Sequence, residues 1–436
     1  ILDRRDNPLA VSSPVVSLWA NPSELPEDQQ SLTELSTGLG VSVEEFTLKM
    51  RRAESRNFVY LRRRAKPSEA DAILSLGLPG VYGEKEYHRF YPGGEIAAHV
   101  VGFTNIDDVG QEGIELSFDD WLSGKPGKKK VLKNLYGEIV RDIMPVAEAV
   151  TGRNLRLSID QRLQFLAYRE LKSAIAQYEA LSGSFVLLDV QTGEVLAMAN
   201  QPSYNPNNRI QLDLSSVRNR AVTDVFEPGS TVKPFTVAVA LESGLDMGYT
   251  IDTSPGFLKV DDAVIKDPRN RGVLDLGGIL AYSSQVGISR LALSLNEYDI
   301  WKQFQTLGFG EVTGVGFPGE SSGFLPNRRR WKDIERVTFA YGYGLTVTPL
   351  QLASAYSTIA SGGIKREVTL IADQVSEGER VMNARIALQL QSMLGRVITE
   401  GTGQKAAIES YDVGGKTGTA RKIGENGYDD TRHIAH

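Results

Sequence analysis

Ser230 and Lys233 stand three residues apart in the segment Phe226-Glu227-Pro228-Gly229-Ser230-Thr231-Val232-Lys233-Pro234-Phe235. Pro228-Gly229 breaks the preceding structure, and the apolar run Phe235–Leu241 continues as a helix. The serine therefore falls near a helix N-terminus, with the lysine one turn later on the same face. A lysine amine placed there can accept the serine proton if burial and a neighbouring cation lower its pKa. The helix N-terminus offers backbone N–H groups and a favourable dipole to developing negative charge.

Two further clusters carry similar potential. Tyr282-Ser283-Ser284-Gln285-Val286-Gly287 sets hydroxyls and an amide inside an otherwise apolar stretch. Gly414-Gly415-Lys416-Thr417-Gly418-Thr419-Ala420, read as a strand, puts Lys416, Gly418 and Ala420 on one face and Thr417 and Thr419 on the other. Gly418 would let a substrate backbone approach closely, and Lys416 would supply positive charge for an anionic substrate. Taken singly, each has an ordinary reading: a capping serine beside a solvated lysine, a helix cap, a glycine-rich turn.

Other chemistries lack their parts. The chain has no cysteine, which removes thiol catalysis, disulfides and cysteine-ligated metals together. Its 4 histidines are His88, His99, His433 and His436, none of them near a Gly-x-Ser-x-Gly elbow. No metal site and no cofactor is expected, and the base of any serine chemistry would be a lysine or a carboxylate. The net charge of −6 gives no general reason to expect nucleic acid as a partner, and the basic runs at 128–130 and 328–330 read as solvated faces.

The elements that must position these residues lie in a chain of 436 residues, enough for two or three domains at roughly 150 residues each. Up to about residue 150 the texture is mixed. Strand-like Pro14–Trp19 and Asn57–Leu61 alternate with charged helical stretches, and turns are marked at Arg89–Gly94 and Asp107–Gly110. Beyond Thr151-Gly152 the pattern becomes regular. Ser158-Ile159-Asp160 offers a helix cap, followed at helical spacing by Leu163, Ala167, Leu171, Ala174 and Tyr178. Phe185–Val190 and Val195–Ala199 flank a Gly-containing turn as a hairpin. Asn383 caps a late helix with the apolar face Ile386, Leu390, Met393 and Val397. Helix, hairpin, a long helical middle and a late strand predict an α+β domain, with helices packed on an antiparallel sheet drawn from both ends of the domain. No apolar run reaches the roughly 18 residues of a spanning helix.

The three clusters together are specific, because Ser-x-x-Lys, Ser-Asp-Asn and Lys-Thr-Gly occur as a set in penicillin-binding proteins and class A β-lactamases. Here the first and third are intact, and Ser283-Ser284-Gln285 stands between them as a variant of the second. Phe226–Phe235, Ser283–Ser289 and Gly415–Lys422 resemble the division-type (septal) class B penicillin-binding proteins. So do Thr338–Gly344, Thr346–Ala353, the opening Ile1–Arg5 with Leu9-Ala10, Arg89–Pro92 through His99–Gly102, and Gly113–Glu115.

That resemblance implies a transpeptidase domain of the penicillin-binding and serine β-lactamase-like fold over residues 151–436, preceded by an elongated α+β pedestal over 1–150. It implies a D,D-transpeptidase in which Ser230 attacks the penultimate D-Ala carbonyl of a stem peptide, with Lys233 as proton acceptor. Ser283 and Lys416 would relay a proton to the leaving amine, and the N–H groups of Ser230 and Thr419 would form the oxyanion hole. Thr417 and Thr419 would hold the substrate carboxylate, with Ser284, Gln285, Tyr343 and Gly418 lining the binding site. A second stem peptide would accept the acyl group, and β-lactams would stay attached to Ser230. Implied surroundings are the periplasmic face of the bacterial inner membrane, with an N-terminal anchor outside this chain, a membrane glycan polymerase and other division proteins.

Two departures from the family pattern stand out. Gln285 occupies the place of an asparagine whose amide contacts the substrate and helps position the lysine. The chain also stops about where the strand after Lys-Thr-Gly should begin, so the transpeptidase domain is expected to be truncated there. Two other readings share the motifs: a β-lactamase, against which the long N-terminal region argues, and a catalytically weak β-lactam-binding scaffold or sensor.

Overall fold

The computed structural model describes residues 1–125, 127–133, 139–210, 212–424 and 427–436. The expected strand at Pro14–Trp19 is the middle of β1 (Val11–Ala20). Strand β2 (Val59–Ala65) and β3 (Val81–Phe90) flank it, both antiparallel to it. Helices α1 (Gln29–Leu39), α2 (Val43–Arg51) and α3 (Pro67–Leu74) supply the other half of a small core. Leu18 and Ala65 of the sheet meet Leu35, Phe46 and Ile73 there. Alternation along β1 explains the side chosen: Leu18 points inward, while its neighbours Ser17 and Trp19 take the opposite face.

A second core mixes both ends of the chain. Ile1, Leu9, Tyr91, Val100 and Ile114 pack with Leu157, Val195 and Leu370. The first residues are stitched on by backbone bonds, Leu2 N–H to the Leu155 carbonyl at 2.9 Å and Leu157 N–H to the Leu2 carbonyl at 2.9 Å. Arg89 at the end of β3 reaches the buried Glu115 carboxylate at 2.7 Å, tying the distal sheet to this core.

The regular second half follows its sequence pattern. Helix α4 (Gln161–Gln177) starts at Asp160, whose carboxylate accepts from Arg162 N–H. The hairpin is β4 (Gly183–Leu188) with β5 (Val195–Gln201). The third and largest core surrounds α5 (Lys233–Glu242), in which every residue from Lys233 to Leu241 is buried. A second hairpin, β6 (Phe257–Val260) with β7 (Ala263–Lys266), precedes α6 (Leu276–Ala281) and α7 (Gln285–Ser294). Helix α8 (Ala384–Thr399) opens at Asn383 and buries Ile386, Leu390, Met393 and Val397.

Two expectations are corrected. The strand after Lys-Thr-Gly is present: β8 (Thr419–Gly424) pairs antiparallel with β9 (Gly427–Ala435). That stretch, Gly-Tyr-Asp-Asp-Thr-Arg-His-Ile-Ala, lacks the alternating pattern of a strand and is rich in residues disfavoured there. Cross-strand pairing overrides its propensity. The second concerns the sheet. Among the described residues the strands from the two ends of the domain form two separate ladders, β4 with β5 and β8 with β9, because each hairpin finds its hydrogen-bond partner locally.

Candidate active site

Ser230 lies in a 3₁₀ turn, Gly229–Val232, that runs directly into α5. Pro234 at the start of the helix is tolerated there, since its missing N–H would be unpaired anyway. The turn is held from one side by Tyr341–Val347. Phe226 and Val347 exchange backbone bonds at 3.0 and 2.9 Å, and Gly229 N–H donates to the Gly342 carbonyl at 3.0 Å. Gly342 has φ +94, and a Cβ there would come within 2.1 Å of the Gly229 oxygen. Only glycine fits. The buried Glu227 accepts from Gly344 N–H at 2.8 Å. The Tyr-Gly-Tyr-Gly segment is thus the clamp of the nucleophile turn.

Lys233 has no exposed surface at all. Its ammonium donates to the Ser283 carbonyl at 2.6 Å, to the Ser284 carbonyl at 3.3 Å and to Ser283 Oγ at 3.3 Å. Burial and the nearby positive Lys416 hold its pKa well below the ordinary lysine value, opposed by Asp267. Ser283 sits between α6 and α7 with φ +55, a left-handed conformation that turns its carbonyl and hydroxyl toward the lysines. Lys416 Nζ donates to Ser283 Oγ at 3.0 Å and to the Thr417 carbonyl at 2.8 Å. Burial lowers its pKa to about 8. Ser283 Oγ therefore bridges two lysines that come from opposite ends of the domain.

Gly418 and His436 exchange both backbone bonds, at 2.6 and 3.0 Å. In an antiparallel ladder the next residue then points its N–H away from the partner strand. Thr419 N–H consequently faces the free edge of β8, where its carbonyl lies 3.4 Å from the place a Gly229 Cβ would occupy. Gly418 and Ala420 are buried, while Thr417 and Thr419 are exposed, as the strand reading requires. The result is a cleft of about 460 Å³ bordered by Ser230, Ser283, Gln285, Thr417, Gly418 and Thr419.

Several placements differ from expectation. Among the described residues the Ser230 hydroxyl makes no hydrogen bond, the Lys233 amine being engaged by Ser283 and Ser284. Among the described residues the Gln285 side chain borders the cleft and makes no hydrogen bond, so backbone carbonyls rather than an amide position the lysine. Tyr343 does not border the cleft. Its ring packs on Tyr341 at 5.7 Å and its hydroxyl meets the Arg421 backbone. Ser284 is 2% exposed and works as the N-cap of α7, accepting from Gly287 N–H at 2.8 Å.

Two residues escaped the sequence reading. Asp267 accepts from the Ser284 hydroxyl and from the N–H groups of Gln285 and Val286, neutralising the N-terminus of α7 and fixing Ser283 just before it. Capping patterns are local, and this acid arrives from 17 residues upstream of Ser284. Thr402, just past α8, shares a hydrogen bond of 2.7 Å with the Thr417 hydroxyl. Nothing in its sequence neighbourhood marks it.

Comparison with known proteins decides the family. The penicillin binding protein transpeptidase domain matches residues 183–435, and the penicillin-binding protein dimerisation domain matches 1–157. The chain belongs to the penicillin-binding proteins. It is 44% identical over 445 residues to peptidoglycan D,D-transpeptidase FtsI of Escherichia coli (strain K12), covering 100% of this chain and 75% of that protein. It is 39% identical over 442 residues to the probable peptidoglycan D,D-transpeptidase PenA of Neisseria gonorrhoeae, covering 100% of this chain and 76% of that one. Among solved structures, penicillin binding protein 3 of Mycobacterium tuberculosis with aztreonam superposes with a TM-score of 0.75 at 26% identity, over 100% of this chain and 84% of that one. No helix among the described residues is long and apolar enough to cross a membrane.

Proposed function

We propose that this penicillin-binding protein is a septal peptidoglycan D,D-transpeptidase that works through an acyl-enzyme on Ser230. The observation that carries the proposal is the Lys233–Ser283–Lys416 chain behind a serine at a helix start. Neutral Lys233 takes the Ser230 proton as Oγ bonds to the penultimate D-Ala carbonyl carbon. The oxyanion is received by the N–H groups of Ser230 and Thr419, each such donor being worth about 3–4 kcal/mol. The C–N bond then breaks, and Ser283, backed by Lys416, passes a proton to the departing D-Ala amine. An amine from a second stem peptide attacks the ester, gives up a proton along the same route and frees Ser230. Thr417 and Thr419 hold the terminal carboxylate, and Gln285 contacts the peptide backbone. A β-lactam follows the first half of this path and stays bound.

The division we propose is a pedestal over residues 1–150 and the transpeptidase domain over 151–436. The matched segments 1–157 and 183–435 support it. The setting that goes with this function is the division septum, at the periplasmic face of the inner membrane, beside a glycan polymerase and other division proteins. Similarity to the peptidoglycan D,D-transpeptidase FtsI supports the activity that this setting would house.

The test is labelling with a fluorescent penicillin, followed by gel and mass spectrometry, beside Ser230→Ala. Stable label on the Ser230 peptide that vanishes in the variant, with acyl transfer from a D-Ala thioester to an amino acceptor, is expected. Rapid hydrolysis of the antibiotic would instead establish a β-lactamase, and label without acyl transfer a sensor.

A further inference from the structure

The rim of the cleft carries cations that the chemistry above does not use. From the last residue of β7 toward α6 the chain runs Lys266-Asp267-Pro268-Arg269-Asn270-Arg271, three cations and one acid in six residues. The acid is spent within the fold, its two oxygens taken by Ser284, Gln285 and Val286. The three cations are exposed, and none has an ion-pair partner among the described residues. Lys266, Pro268 and Tyr282 border the same cleft as Ser230. Arg271 lies over the Tyr282 ring, its guanidinium carbon 4.1 Å from the centroid. Such stacking holds the planar group by its face and leaves its N–H edge free for a carboxylate.

The loop is also held in place. Asp267 N–H donates to the Gly256 carbonyl at 3.0 Å, and Gly272 N–H donates to Asn270 Oδ1 at 3.0 Å. The Gly272 carbonyl accepts from the Thr253 hydroxyl at 2.8 Å. Gly256, at φ +94, lies so close to Asn270 that a Cβ there would come within 3.2 Å of the Asn270 backbone. Two cations on a fixed loop, one stacked and one bordering the cleft, form a site already organised for an anion.

We propose that Arg271 and Lys266 form a subsite for a carboxylate carried by the acyl donor, separate from the terminal carboxylate held by Thr417 and Thr419. The inference rests on the transpeptidase reading, and deepens it by making the enzyme selective for donors with an anionic side group. The pair carbenicillin and benzylpenicillin tests it, since they differ by one side-chain carboxylate. Acylation rate constants of the purified chain are read by competition with a fluorescent penicillin. The carbenicillin-to-benzylpenicillin ratio should fall about tenfold in Lys266→Gln/Arg271→Gln, the scale of one lost charge pair at a partly solvated site. Any loss common to both penicillins cancels in that ratio. Raising the salt from about 50 to about 500 mM should shrink the ratio in the unaltered protein and leave it unmoved in the variant. Arg271→Lys, which keeps the charge but not the flat stack, should fall between. A ratio that moves less than about twofold in the double variant overturns the subsite while leaving the transpeptidase intact. Failure of benzylpenicillin to label Ser230 in the unaltered protein overturns the transpeptidase reading, and the subsite with it.

Discussion

Around Ser230 the chain encloses charged side chains fully, whereas none of the charged residues of the distal three-stranded sheet is enclosed to that degree. Lys233 is completely buried and Glu227 is 7% exposed. In the distal unit the core is Leu18, Leu35, Phe46, Ile73 and their neighbours, and ion pairs such as Arg62 to Glu69 at 3.5 Å stand in solvent. Exposed pairs of that kind contribute about 0–1 kcal/mol. A buried lysine costs several kcal/mol unless it is bonded or loses its proton. The cost is met here by two carbonyls and a hydroxyl, and the residual pressure toward the neutral amine is the property a proton acceptor needs. The distal core serves stability and support, while the central core sets reactivity.

The sharpest way to break the comparison is Lys233→Gln. It keeps the volume and a donor for Ser283 but removes the base, so penicillin acylation should drop about 10²–10⁴-fold, measured by stopped-flow labelling. A smaller loss would show that another group takes the serine proton.

The pH profile tests the same contrast. Lys233 must be neutral, so acylation falls on the acid side as it gains its proton. Lys416 must keep its proton, so acylation falls again as the pH rises through about 8. Each limb should approach about tenfold per pH unit. A profile flat from pH 7 to pH 10 would refute the assignment of Lys416.

Gly342→Ala should come next. Its Cβ meets the Gly229 backbone at φ +94, so the nucleophile turn has to shift. A roughly tenfold slower acylation is expected for a sub-ångström misplacement, with a stability loss of about 1–3 kcal/mol by thermal or denaturant unfolding. Leu18→Ala should have the smallest effect on chemistry. Deleting a fully buried leucine from the distal core costs about 2–5 kcal/mol, read by urea unfolding, yet acylation should stay within about twofold. A large acylation defect there would mean that the Arg89–Glu115 tie transmits distal packing to the site.

Much of the fold was legible where the pattern was local. The caps at Asp160 and Asn383, the hairpin around Gly193 and the buried stripe of α8 all appear where spacing placed them. The last strand was not legible, because Gly427-Tyr428-Asp429-Asp430 carries no strand signal and only the pairing of Gly427–Asp429 and His433–Ala435 with β8 selects its conformation. Tyr343 was placed by analogy in the cleft, but the φ-positive glycines on either side of it turn the ring onto Tyr341 and β8.

By itself the sequence determined the chemical inventory: a serine and a lysine one helical turn apart, a hydroxyl pair before a helix, and a lysine on an alternating strand. Those relations are fixed within single elements by helical and strand periods, so they survive in any fold. Only the tertiary structure decided how the three meet. Lys233 and Ser283 are 50 residues apart and Lys416 is 133 from Ser283, yet one hydroxyl touches both amines. It also decided that carbonyls rather than Gln285 hold the lysine, and that Asp267 anchors the helix beside it. Distances between elements are set by how the buried faces of α5, α6, α7 and α8 pack around a common core, and no local pattern carries that information.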